Sequence, residues 1–76
     1  MINGSKSLPD IAVIRGGKKE FETSLSEGKE VLQSLSKIGY NPVDVVVSRN
    51  NEWTQNGVPT DAHHIFSRSH TIVDTT

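Results

Sequence analysis

Four consecutive apolar residues, Ile11-Ala12-Val13-Ile14, stand between Pro9-Asp10 and Gly16-Gly17. A strand with one wet face alternates apolar and polar residues. A continuous run needs cover on both faces, as in a parallel sheet. Glycines directly after such a strand let the backbone turn sharply and come close to a helix or a ligand. This stretch therefore predicts an α/β fold built outward from a doubly covered strand.

The next thirty residues supply part of that cover. Ser24-Leu25-Ser26-Glu27 has the spacing of a capping box, in which the serine hydroxyl and the glutamate satisfy opposite ends of the first helical turn. Phe21, Leu25, Gly28, Leu32 and Leu35 recur at helical spacing, flanked by Val31 and Ile38, while Lys29, Glu30, Gln33, Ser34 and Lys37 fall on the solvated face. Gly39 stands where a helix closes and Pro42 prevents continuation. Val43-Asp44-Val45-Val46-Val47 is a second strand, which gives a right-handed βαβ unit with parallel strands. Asn50-Asn51 and Asn56-Gly57 are turn dipeptides, so residues 45–59 read as a meander with a hairpin at the sheet edge. Thr60-Asp61 caps a short helix over residues 62–68 that turns Ile65 and Phe66 inward. Thr71-Ile72-Val73 begins a third strand. The fold class expected is thus a small open parallel sheet, βαβ plus edge hairpin, incomplete at its C-terminal end.

A chain of 76 residues fits one small domain, and the absence of cysteine excludes disulfides and thiolate metal sites. Only 33% of residues are hydrophobic, which is lean for a self-sufficient core and suggests completion by something outside the chain. Residues 1–9 are polar and without periodicity, and are expected to form a flexible leader to a domain over residues 10–76. The net charge of −1 argues against a nucleic-acid partner. No apolar run approaches the ~20 residues of a membrane span, and no signal peptide opens the chain, so the default expectation is a cytoplasmic protein.

The chemistry-bearing candidates gather behind Gly17. Ligands of open α/β sheets bind beyond the carboxyl ends of the strands, where helices begin. Glu20 and Glu22 lie there, and the positive end of the helix dipole favours a carboxylate. Such a group suits the anchoring of a substrate ammonium better than general base work. The plainer alternative is that the glycines serve only the turn. Gly16-Gly17 is neither a Walker A loop nor a Gly-x-Gly-x-x-Gly fingerprint. His63, His64 and His70 lack the spacing of a metal site and read as surface residues. Lys18-Lys19 reads as solvated surface or as a steering element for phosphate, and Trp53 as packing over the sheet.

Ile11-Ala12-Val13-Ile14-Arg15-Gly16-Gly17, then Glu20-Phe21-Glu22-Thr23-Ser24-Leu25, Gly28 and the helix to Gly39-Tyr40, resembles the start of bacterial D-alanine–D-alanine ligases. The similarity continues through Pro42-Val43-Asp44-Val45, Trp53 and Asn56-Gly57-Val58-Pro59-Thr60. The resemblance implies a Rossmann-like pre-ATP-grasp domain and a ligase role in peptidoglycan biosynthesis. In that reaction ATP phosphorylates one D-alanine and the amine of a second attacks the acyl phosphate. By position, Glu20 matches the glutamate that holds the first D-alanine's ammonium and Ser24 the serine opening the helix, and the resemblance implies that both are substrate-binding residues. The Lys18-Lys19 loop is one residue shorter and more basic than the family's, which keeps Glu22 as the alternative carboxylate, and Thr23 stands for the usual valine. The histidine-glycine motif expected after the third strand and the ATP-grasp portion that holds ATP and Mg²⁺ are not in this sequence. The expectation is therefore a substrate-side domain with no catalytic residue, cofactor site or metal site of its own. Its partners would be D-alanine, the ATP-grasp domains in the same or a separate chain, and a second copy in a homodimer. The alternative is a non-catalytic α/β binding or interaction module.

Overall fold

Strand β1 (Ile11–Gly16) runs parallel to both of its neighbours, β2 (Val43–Val47) and β5 (Thr71–Asp74). Helix α1 (Phe21–Lys37) connects β1 to β2. The chain then forms β3 (Trp53–Gln55) and β4 (Val58–Thr60), and α2 (Ala62–Arg68) leads into β5. The computed structural model describes residues 10–76, so the expected leader lies outside the described residues. The five strands form one sheet in the order β4-β3-β2-β1-β5. The β2–β3 and β3–β4 pairs are antiparallel, so the sheet is mixed, with parallel pairing confined to the three strands around β1.

Continuous burial of Ile11 to Ile14 follows from this position. Side chains alternate between the faces of a strand. Ala12 and Ile14 enter one buried cluster with Val45, Val47 and Ile65 of α2, with Trp53 and Ile72 packed against it. Val13 and Arg15 point to the opposite face, which α1 covers. The helix makes its closest approach at Gly28, where a Cβ would stand 2.5 Å from the Arg15 Cβ and 2.8 Å from its Cδ. Only a residue without a side chain fits there.

Beneath that crossing, Arg15 is held in a fork. Its Nε and Nη2 donate to the two carboxylate oxygens of Asp44 at 2.8 Å each, and Nη1 donates to the Leu25 carbonyl at 3.1 Å. Hydrogen bonding to Asp44 raises the Arg15 pKa above its ordinary value, against the opposing effect of burial, and charge attraction to Asp44 adds to the rise. Such bidentate pairs combine charge with fixed geometry. The pair also explains how two charged residues sit within otherwise apolar strands.

The structure alters several details of the expected elements. Helix α1 begins at Phe21, not at Ser24, and Glu20 occupies the N-cap without a side-chain capping bond. Ile38 is the C-cap and is 71% exposed, because the helix ends before that position can turn back to the sheet. The closing geometry is a Schellman motif: Tyr40 N–H donates to the Leu35 carbonyl and Gly39 N–H to that of Ser36. In α2, Asp61 accepts from the His64 amide and caps the helix as expected, but only Ile65 is buried. Phe66 is 54% exposed, since adjacent positions on a helix point in different directions. Asn56 and Gly57 both have positive φ and join β3 to β4 as a two-residue hairpin turn. Pro59 is tolerated because β4 is an edge strand.

Gly28→Ala tests the crossing. Helix propensity alone would stabilise the variant by about 1 kcal/mol. The added methyl meets a Cβ fixed to the β1 backbone, and overpacking of that kind costs about 1–3 kcal/mol. The expected outcome is net destabilisation, read as a lower urea midpoint.

Candidate functional corner at the carboxyl end of the central strand

The path from β1 into α1 is fixed by backbone contacts. Gly16 and Gly17 have φ of +98° and +91°, a region that side chains disfavour, and a Cβ on Gly16 would collide with the Val47 carbonyl oxygen. Gly17 N–H donates to that same carbonyl at 2.7 Å. The chain then passes through the exposed Lys18 and Lys19 to Glu20. The Glu20 carbonyl receives the first helical hydrogen bond, from Ser24 N–H at 2.8 Å.

Ser24 is buried to 1% exposure, one turn into the helix. Its hydroxyl does not reach the Glu27 amide of the expected capping box. It accepts instead from Gly16 N–H at 2.9 Å, which supplies a partner for a buried donor at the end of β1. Thr75 completes the arrangement. Its N–H donates to the Ile14 carbonyl at 2.9 Å, and its hydroxyl lies 3.1 Å from the Ser24 Oγ, 3.1 Å from the Ser24 carbonyl and 3.2 Å from the Ile14 carbonyl. The ends of β1 and α1 and the segment after β5 therefore meet on two hydroxyls. The burial of Ser24 suits it to positioning the corner.

The two candidate carboxylates differ in their surroundings. Glu22 lies 3.5 Å from Arg49 Nη2, and the Arg49 guanidinium also stacks over the Phe21 ring, 4.5 Å from its centre. Among the described residues Glu20 forms no ion pair, and it is exposed at the helix start. Glu20 is thus the carboxylate available to a cationic ligand, while Glu22 is turned toward a cation of the protein. No three of His, Cys, Asp or Glu come together to hold a metal among the described residues. No helix among them is long and apolar enough to cross a membrane.

Two features of the corner have no signature in the local sequence. Thr75 belongs to a polar run whose pairing depends on β5 lying next to β1. The Arg49–Phe21–Glu22 contact joins the loop after β2 to the first turn of α1. Arg15 and Asp44 did carry a signal, as single charges inside apolar strands. Comparison with protein-family models, with curated proteins and with solved structures finds no match to the chain.

Removing the Ser24 hydroxyl leaves the Gly16 amide buried without an acceptor, a loss of about 1–3 kcal/mol. Ser24→Ala is therefore expected to lower the unfolding free energy by that amount in urea titrations. Glu20→Ser places a preferred N-cap residue where Glu20 makes no capping bond, and is expected to stabilise the fold by roughly 0.5–1 kcal/mol.

Proposed function

We propose that this chain is the N-terminal, substrate-side part of an ATP-dependent D-alanine–D-alanine ligase of peptidoglycan biosynthesis, with a Rossmann-like pre-ATP-grasp fold, acting in the cytoplasm. The observation that carries the reading is Glu20. It is an exposed carboxylate without an ion-pair partner among the described residues, at the N-cap of α1, just beyond the carboxyl end of a parallel strand. Open α/β sheets bind ligands at this place, and the resemblance of residues 10–61 to the ligase family puts the ammonium-holding glutamate at the same position.

In this reading Glu20 accepts hydrogen bonds from the ammonium of the first D-alanine and orients that molecule at the mouth of the corner. Ser24 acts as a positioning residue: its bond to Gly16 N–H fixes the turn on which Glu20 stands. Glu22 lies 3.5 Å from Arg49, which leaves Glu20 as the carboxylate of this corner without an ion-pair partner among the described residues. Activation with ATP and Mg²⁺ belongs to the ATP-grasp portion, in the same polypeptide or a partner chain, and a homodimer fits the family pattern. The second reading is a non-catalytic α/β binding or interaction module. It draws on the Lys18-Lys19 loop, which is one residue shorter than the family's pattern and more basic.

The test joins this chain to an ATP-grasp portion and compares Glu20→Gln with Glu22→Gln. A charged hydrogen bond contributes about 1.5–3 kcal/mol. Glu20→Gln should accordingly raise the D-alanine KM by roughly 10- to 100-fold, with Glu22→Gln near the parent value. A raised KM for Glu22→Gln alone transfers the role to Glu22. Coding sequence with no ATP-grasp region after Thr76 or in a neighbouring gene favours the binding module.

A further inference from the structure

A second feature lies over the same end of the sheet and does not use Glu20. A cleft of about 420 Å³ opens above the carboxyl ends of β1, β2 and β5. Its apolar walls include Val47, Trp53 and Phe66, and its rim carries Lys18 and Lys19. Trp53 and Phe66 meet edge to face, with ring centres 6.2 Å apart and planes inclined at 61°. The Trp53 indole N–H lies 3.4 Å from the Asn51 Oδ1. Phe66 is a large apolar side chain left more than half exposed beside this wall.

The rim is unbalanced in charge. The ion pairs among the described residues are Arg15–Asp44 and Arg49–Glu22, so neither Lys18 nor Lys19 has an acidic partner there. Asp74 is the one acidic residue in the lining against two lysines, and its carboxylate accepts from the N–H and hydroxyl of Thr76. Two larger clefts beside the β3–β4 hairpin carry Asp61 and no lysine or arginine. Among the described residues this cleft sets an aromatic wall beside two lysines that have no acidic partner.

We infer that this cleft binds a small anion with a flat apolar body: an aromatic carboxylate, sulfonate or phosphate ester. The ring system lies against Trp53 and Phe66, whose edge-to-face arrangement accepts another aromatic surface. The anionic group reaches the rim and pairs with Lys18 and Lys19. The position agrees with the general rule for ligands of open α/β sheets. The inference is independent of the ligase reading, because Glu20 is not a lining residue and takes no part in the test.

The chain contains a single tryptophan, Trp53, which lines this cleft and also one of the clefts beside the β3–β4 hairpin, so its fluorescence reports binding and the lysine substitutions locate it. Anilinonaphthalene sulfonate serves as the anionic probe and phenylnaphthylamine, the same ring system without the sulfonate, as its neutral counterpart. The expected result is saturable, one-to-one energy transfer from Trp53 to the sulfonate. Two exposed ion pairs are together worth roughly 2- to 30-fold in affinity, so the sulfonate should bind tighter than the neutral probe by a factor in that range. The double substitution Lys18→Ala, Lys19→Ala should erase that difference and leave the circular dichroism unchanged. The double substitution Lys29→Ala, Lys37→Ala, on the solvated side of α1, should preserve it. Absence of transfer from Trp53, equal affinity for the two probes, or a preference that survives loss of Lys18 and Lys19 would overturn the assignment.

Discussion

Helix α1 lies directly on the central strand because Gly28 has no side chain where it crosses Arg15. The consequences run along one face of the helix. Ser24 and Gly28 are four apart on α1, so they lie on the same buried side, and Glu20 is the exposed N-cap just before that turn. With Gly28 seated against Arg15, Ser24 comes over the Gly16 amide one turn earlier. One further turn back, Glu20 stands at the carboxyl end of β1. A single close approach thereby sets the helix height, satisfies a buried donor and places the candidate carboxylate. A larger residue at position 28 would lift all three together.

The ion pair beneath the crossing acts on the sheet. Arg15 and Asp44 lie on the face covered by α1, while Ala12, Ile14, Val45 and Val47 fill the opposite face. Because side chains alternate, sliding β1 by one residue would carry the guanidinium into the apolar cluster. Removing one partner would leave the other charge half-buried without compensation, which is a larger cost than the pair's own contribution. The bidentate geometry and the third bond to Leu25 make the pair a link between β1, β2 and α1 at once.

The same end of the sheet presents two surfaces of opposite character. On the helix side, Glu20 offers a negative group beside a backbone held by Ser24 and Thr75. On the side of α2, Lys18 and Lys19 overhang an aromatic wall. The Gly17–Glu20 loop separates them, and its shortness keeps the two lysines and the carboxylate within three consecutive positions. The ammonium ligand and the anionic aromatic ligand proposed above would therefore occupy different places. The glycine turn, which has no side chains of its own, makes room for both.

Much of the architecture was legible because it depends on local pattern. The unbroken Ile11–Ile14 run demanded cover on both faces. Gly39 marked the Schellman closure, Asn56-Gly57 the hairpin and Asp61 the cap of α2. Glu20 was marked as a candidate by its place between a strand and a helix. What the sequence could not decide was the use of groups whose partners are distant in the chain. Ser24 has the local signature of a cap, yet it is 51 residues from Thr75 and its hydroxyl goes to β1. Glu22 looked equivalent to Glu20 until the loop after β2 brought Arg49 beside it. Phe66 looked like a core residue until the short α2 could bury only Ile65. Periodicity and turn chemistry, then, are properties of neighbouring residues, and the sequence by itself determined them. Which hydroxyl satisfies which amide, and which carboxylate stays open, depends on strand order and helix height, and only the tertiary structure decided that.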